Sequence, residues 1–473
     1  MTYEEFLGQV LDALPYVPNE QQAAVLGALA RFCSPAHYDA GARDRVFVLN
    51  GYAGTGKTSL MGALVKVLRD VGIPVVLMAP TGRAAKVFGA YASHRANTIH
   101  RRIYRHALGA GPVLMQDNKE RGAIFIVDEA SMIGADDYAG QNLLQDLIHF
   151  VYAGESCRLI LVGDTAQLPP VGQEVSPAMD SGVLRSMGLA VSRATLTAVA
   201  RQGALSGILA NATWQRQAMR REPLPEPQLL TAGYPDVKAI TPEELIDVLS
   251  SAYNSDGGVE SAIVVTRSNR RATDFNRAIR GEVLYYEEEI VPDDLLMVAK
   301  NSYFWQKGVK GLDFVANGDI LRVEHVYGTE ERYGFRFADV QVCLPDSTGP
   351  DGAPIVFDTK IFLETLVSDT AALPSQRMNA LYNAIMSEAA AGGSVSIAES
   401  SRILRTSPYW NALQVKYAYA VTCHKAQGGQ WETVIVDMLS IPPDSISLDF
   451  YRWLYTATTR ARRRLFFLTA PEY

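Results

Sequence analysis

Cysteine is scarce: four residues (Cys33, Cys157, Cys343 and Cys423) are scattered through 473, with no C-x-x-C pair, so neither a disulfide framework nor a zinc cluster is indicated. Long apolar runs are missing as well, and the opening Met-Thr-Tyr-Glu-Glu-Phe lacks the basic-then-apolar pattern of a secretory signal. The default expectation is a cytoplasmic protein with no membrane partner. Basic residues are not in excess; the net charge of −7 argues against a uniformly basic nucleic-acid coat but leaves room for a local groove. Disorder is also argued against, because 48% of the residues are hydrophobic and only 20% are charged. A chain of this length should form two to four domains, and no internal repeat is obvious.

What is present centres on Val46-Phe-Val-Leu-Asn-Gly-Tyr-Ala-Gly-Thr-Gly-Lys-Thr58. An apolar, largely β-branched run enters a glycine-rich loop and then an amphipathic run, which reads as strand, phosphate loop, helix. Residues 51–58 fit G-x-x-x-x-G-K-[ST]: backbone N–H groups and a helix N-terminus cradle phosphates, Lys57 neutralises β/γ charge and the Thr58 hydroxyl binds Mg²⁺. Gly51, Gly54 and Gly56 permit the tight curl. Ala53, Thr55 and Ser59 complete the candidate nucleotide contacts. Upstream, Gln21 opens an Asn-capped helix, and its amide donates and accepts at once, as reading an adenine edge requires.

Downstream the βα rhythm continues. Pro74-Val-Val-Leu-Met-Ala-Pro80 reads as a buried strand, and Thr81-Gly-Arg-Ala-Ala-Lys-Val87 opens a helix; Thr98-Ile-His-Arg101 follows. Small residues, Thr hydroxyls and helix starts suit a grip on a phosphodiester backbone. Residues 102–121 break the rhythm and read as a short excursion such as a hairpin. Ala123-Ile-Phe-Ile-Val-Asp-Glu-Ala-Ser131 places paired carboxylates at a strand's carboxyl end, where parallel sheets bind ligands. Asp128 would hold Mg²⁺ through water and Glu129 would polarise an attacking water. After the strand Arg158-Leu-Ile-Leu-Val162, Gln167 sits where a polar side chain would meet the γ-phosphate.

In this order stand Gln21; residues 51–58; Ala79-Pro-Thr-Gly-Arg-Ala-Ala85; Thr98-Ile-His100; Val127-Asp-Glu-Ala-Ser131; Gly163-Asp-Thr-Ala-Gln-Leu-Pro169; Leu196-Thr-Ala-Val-Ala-Arg201; Ala316-Asn-Gly-Asp319; Val421-Thr-Cys-His-Lys-Ala-Gln-Gly428; and Tyr455-Thr-Ala-Thr-Thr-Arg460. Over nearly the whole chain the sequence resembles superfamily 1 DNA helicases of the RecD/Dda type. The resemblance implies an α/β fold: two RecA-like P-loop domains with parallel sheets and a small inserted SH3-like β subdomain. The expected division is 1–200 for the first domain, 201–312 with 413–473 for the second, and 313–412 for the insertion with its helices.

The resemblance further implies ATP and Mg²⁺ as cofactors, single-stranded DNA and its junctions with duplex as partners, and movement 5′ to 3′ with unwinding. Arg201 and Arg460 match positions that reach the γ-phosphate as arginine fingers. Pro80, Thr81, Gly82, Arg83, Thr98 and His100 from the first domain, with Thr422, His424 and Lys425 from the second, match DNA-contacting motifs. A basic helix face with Arg270, Arg271, Arg277 and Arg280 is a further candidate for a backbone groove. The excursion at 102–121, with its apolar Val113-Leu-Met115, would be a strand-separating pin. A nucleic-acid-dependent ATPase that does not unwind, and a module that uses ATP only as a switch, stay open; the intact Asp128-Glu129 pair weighs against the switch.

Overall fold

The computed structural model describes residues 2–34, 44–106, 113–135, 142–199, 206–312, 314–349, 351–370, 372–390, 396–439, 441 and 445–470. In the first part of the chain, β1 (Arg45–Gly51), β2 (Val75–Ala79) and β3 (Ala96–Thr98) are followed by a hairpin of β4 (Tyr104–His106) and β5 (Val113–Met115), then by β6 (Ile124–Val127), β7 (Arg158–Gly163) and β8 (Ala190–Leu196). The hairpin apart, these strands form one parallel sheet in the order β3-β2-β6-β7-β1-β8. Their near-continuous apolar runs follow from burial on both faces. In β1, Phe47 and Leu49 enter one core with Leu60 and Leu64, whereas Val46 and Val48 enter the other with Leu144 and Leu147.

A second parallel sheet, ordered β16-β10-β17-β18-β9, joins β9 (Val237–Ile240) and β10 (Ala262–Thr266) to three strands near the chain's end. Between them lie β11 (Leu295–Val298), β12 (Ile320–Arg332), β13 (Phe335–Thr348), β14 (Pro354–Phe362) and β15 (Val415–Tyr417); the closing strands are β16 (Ala420–Thr422), β17 (Trp431–Asp437) and β18 (Ala461–Leu468). The inserted β unit is an antiparallel sheet, β14-β13-β12-β11-β15. It recruits 295–298 and 415–417 from outside 313–412. The run Tyr417-Ala-Tyr-Ala-Val-Thr422, which reads as one strand, is therefore split. Ala418 donates to Leu295 in the antiparallel sheet, while the Tyr419 carbonyl already accepts from Val264 in the parallel one. Apolar alternation cannot signal such a switch, because both sheets bury this segment.

The excursion after β3 is a hairpin rooted in the first unit. Gln116 donates its backbone N–H to Ile103 and its side-chain amide to Tyr104, and Met115 packs against the adjacent core. Leu114 is 45% exposed, and its neighbours at 107–112 lie outside the described residues. Among the described residues, no helix is long and apolar enough to cross a membrane.

Candidate functional site

Because β7 lies between β1 and β6, three adjacent carboxyl ends deliver residues 51–58, 164–168 and 128–129 to one edge of the sheet. This is the edge at which parallel sheets bind ligands. Gly54 (φ +73°) and Gly56 (φ +87°) adopt the left-handed backbone that a side chain would strain, and the helix Lys57–Asp70 starts directly after them. The Lys57 ammonium donates to the carbonyls of Gly51 and Tyr52, and the Thr55 hydroxyl donates to Tyr52 at 2.7 Å. Ala53, Thr58 and Ser59 are half-buried around this turn.

Gln22 supports the loop from below. It is buried and donates through Nε2 to the Thr55 carbonyl at 3.0 Å. Its sequence signal is absorbed by a capping box with Asn19, so a helix start is all it announces. Gln21 faces the segment after β8: Oε1 accepts from the N–H groups of Thr197 and Ala198, and Nε2 donates to the Thr197 hydroxyl. In this arrangement both halves of its amide are engaged by the chain itself.

Asp128 and Glu129 follow β6 directly. Burial, reinforced by the neighbouring Glu129 charge, pushes the Asp128 carboxyl up to about 7, while the Lys57 charge pulls the other way. Lys57 and Asp128 thus share one electrostatic neighbourhood. Glu129 sits at φ +53°, a left-handed conformation that costs a non-glycine residue roughly 1–3 kcal/mol and is found most often at functional sites. Its N–H donates to Asp128 Oδ1 at 2.9 Å. Gln167 is only 6% exposed, and its Oε1 is buried without a partner among the described residues. A buried acceptor of this kind calls for a ligand or water.

The second α/β unit closes over this edge. Tyr455, fully buried on the helix Leu448–Thr458, accepts the N–H of Ala53 at 2.8 Å and donates to Asp164 Oδ2 at 2.6 Å. Beside it Leu168 donates to the Thr456 hydroxyl, and Gln427 donates to the Leu168 carbonyl. Leu209, on the helix Gly207–Ala218, stands 2.7 Å from where a Cβ on Gly54 would lie, and Arg216 stacks 4.3 Å from the Tyr52 ring centroid. Nothing local in the sequence marks Tyr455 as a neighbour of Ala53, since 402 positions separate them. Tyr455→Phe would leave a buried carboxylate oxygen and a loop N–H short of one bond each. The expected cost is about 1–3 kcal/mol of stability, read by urea titration; an unchanged transition would contradict the relay.

Arg460 is buried and bonded to the carbonyls of Thr456 and Gly429 and to the Thr459 hydroxyl. It is not turned onto the phosphate loop in this arrangement. Arg201 lies outside the described residues.

The candidate DNA residues meet from both units. A Cβ on Gly428 would lie 3.0 Å from the Thr81 hydroxyl, and one on Gly82 would lie 2.6 Å from Asp319 Oδ1. Thr81 and Thr98 cap their helices through their hydroxyls. Arg83 lies 4.0 Å over the Trp431 ring and donates to the Gln430 carbonyl, so its charge serves the contact between units. Pro80 and His100 are half-buried, and the His100 ring tilts against Tyr104. Thr422 and Lys425 line a cavity with Asn269, Asn276 and Lys416. The Lys425 ammonium is buried without a partner among the described residues; burial lowers its pKa, and burial together with the Lys425 charge brings Lys416 down to about 8. An anion entering this cavity would meet two cations. His424 is exposed.

Two of the four arginines on the basic helix face are committed to ion pairs within the fold. Arg271 pairs bidentately with Asp437, and Arg280 pairs with the buried Asp294. Both carboxylates are remote in sequence, so the pairing is invisible in the helix itself.

An AAA domain family model matches residues 36–222, and a UvrD-like helicase C-terminal domain model matches 417–468. The ATP-dependent RecD2 DNA helicase of Deinococcus radiodurans is 36% identical over 195 residues, covering 40% of this chain and 23% of that protein. The ATP-dependent DNA helicase dda of Enterobacteria phage T4 is 31% identical over 134 residues, covering 26% of this chain and 28% of that protein. The chain therefore spans under a third of the length of either relative. Among solved structures, a Pif1 helicase from Bacteroides in complex with ADP-AlF3 and ssDNA aligns over 97% of this chain and 95% of that one, at 15% identity and a TM-score of 0.45.

Proposed function

We propose that this chain is a superfamily 1 helicase of the RecD/Dda type, which hydrolyses ATP between its two α/β units to move along single-stranded DNA and separate duplex. The observation that carries the reading is the convergence of the phosphate loop, the Asp128-Glu129 pair and Tyr455 of the second unit on one sheet edge. A motion of either unit is thereby felt at the loop. Polarity, 5′ to 3′, follows the resemblance.

Thr58 and Asp128 fit Mg²⁺. Among the described residues no group of three or more His, Cys, Asp or Glu could cage a metal alone, and Mg²⁺ prefers one or two protein oxygens completed by water and substrate phosphates. Thr58 and Asp128 would hold the ion, whose charge would offset the negative charge of the phosphates. Lys57 would leave the Gly51 and Tyr52 carbonyls for the phosphates. Glu129 would orient the attacking water, and Gln167 would use its unpartnered oxygen near the γ-phosphate. Arg460 and Arg201 would supply charge from the second unit, Arg460 by releasing Thr456 and Gly429. Pro80, Thr81, Gly82, Thr98, His100, Thr422, His424 and Lys425 would hold the strand's phosphates, with Arg83 acting through Trp431.

The test is ATPase and strand displacement on matched duplexes carrying a 5′ or a 3′ single-stranded tail. Displacement from the 5′ tail is expected. Single-strand-stimulated hydrolysis without displacement would instead mark a translocating ATPase, and tight ATP binding without turnover a switch. We assign the β4–β5 hairpin as the pin. Replacing residues 110–116 with a Gly-Ser turn should leave single-strand-stimulated ATPase near normal while displacement falls sharply; unwinding that survived unchanged would remove the hairpin from this role.

A further inference from the structure

Between β11 and β12 the chain reads Lys300-Asn-Ser-Tyr-Phe-Trp-Gln-Lys-Gly-Val-Lys310. In a protein of net charge −7, residues 299–314 carry three lysines against one acid, Asp313. All three lysines are exposed. Ser302 and Val315 exchange both backbone hydrogen bonds at 2.8 Å, which closes the segment into a loop. That closure places the Tyr303 and Phe314 rings 5.2 Å apart at 33°. Phe304 stands edge-on to Trp305 at 4.8 Å, and the Lys307 ammonium lies 5.4 Å from the Phe304 centroid.

Trp305 anchors the loop. Its Nε1 donates to the Asn411 carbonyl at 2.8 Å, and the ring packs on the core of the second unit. Phe304 and Phe314 differ: both are half-buried, and neither is among the side chains packed on the apolar cores of the described residues. Each ring keeps part of its surface in solvent and so forgoes part of the roughly 1.5–3 kcal/mol that full burial of such a side chain contributes. The loop is also fastened to the first unit, because Arg101, immediately after Thr98-Ile-His100, donates to the Gly311 carbonyl at 3.4 Å. Aromatic faces, an excess of cations over acids and continuity with candidate phosphate-gripping residues are the combination that takes unpaired bases.

We infer that Phe304, Lys307, Lys310 and Phe314 form a base-stacking site for single-stranded DNA, with Phe304 and Phe314 presenting the rings and Lys307 and Lys310 holding the flanking phosphates. The inference rests on the helicase reading and adds to it the place where bases, as opposed to phosphates, are engaged. Stacking reads a π-face and no hydrogen-bond edge, so the site tolerates any sequence but requires a base.

The test compares a fluorescent oligothymidylate with an abasic oligonucleotide of equal length. Phe304→Ala and Phe314→Ala should each weaken oligothymidylate binding roughly tenfold and leave abasic binding as in wild type. Equal losses on both probes, or no loss, would overturn the site. Lys307→Gln with Lys310→Gln, at exposed positions that folding tolerates, should weaken both probes alike and flatten the salt dependence by about 1.4 in log–log slope. Unchanged affinity in that variant would also overturn it. Wild-type protein that bound neither probe would overturn the helicase reading and this site with it, whereas binding insensitive to the aromatic changes overturns the site alone.

Discussion

Glu129→Gln is expected to lower ATP turnover roughly 10²- to 10⁴-fold, the contribution of a positioned general base, while ATP binding stays near wild type. The amide keeps the size and reach of the carboxylate but cannot take a proton from water. Geometry makes the separation of effects clean, because the Glu129 backbone N–H, not its side chain, bonds to Asp128 Oδ1. Burial and the Glu129 charge both raise the Asp128 carboxyl, so removing that charge favours ionised Asp128 and does not weaken the residue proposed to hold Mg²⁺. Equilibrium binding of a fluorescent ATP analogue, measured beside single-turnover hydrolysis, distinguishes the outcomes. A variant that lost binding would place Glu129 among the nucleotide's ligands.

Lys57→Met should produce the other large loss, with both binding and turnover reduced and turnover falling on the order of 10³-fold, as when a preorganised charge is removed from a transition state. Methionine approximates the length of the side chain while deleting the ammonium. The lysine also donates to the carbonyls of Gly51 and Tyr52, so the loop's own order is at stake. Circular dichroism and thermal unfolding should show a folded protein, because those carbonyls can turn to water at a half-buried loop. Near-normal turnover in the folded variant would remove the phosphate loop from the reaction.

Local features were legible in the chain because each is written over a few residues. A buried β-branched run, glycines at the two positive-φ positions and a polar helix start specify strand, loop and helix at 45–70 by backbone sterics and burial alone. Paired carboxylates ending a four-residue apolar strand place Asp128 and Glu129 at the binding edge for the same reason. The excursion at 102–121 showed itself by interrupting a rhythm.

Long-range choices left no such trace. Arg271 and Arg280 present the same helical spacing whether they face DNA or pair with Asp437 and Asp294, and only the folded sheet brings those carboxylates within 2.8 Å. Arg83 stands over Trp431, a neighbour that nothing in its own segment announces. Residues 415–422 change sheets at a point where both environments are apolar. Tyr455 becomes part of the site solely because its helix docks against the phosphate loop. Sequence by itself determined which segments are strands and helices and where the phosphate chemistry is concentrated, since those depend on neighbours along the chain. Tertiary structure alone decided which charges are spent on the fold and which residues of the second unit touch the loop. Those depend on partners tens to hundreds of positions away, and side-chain type records no address for them.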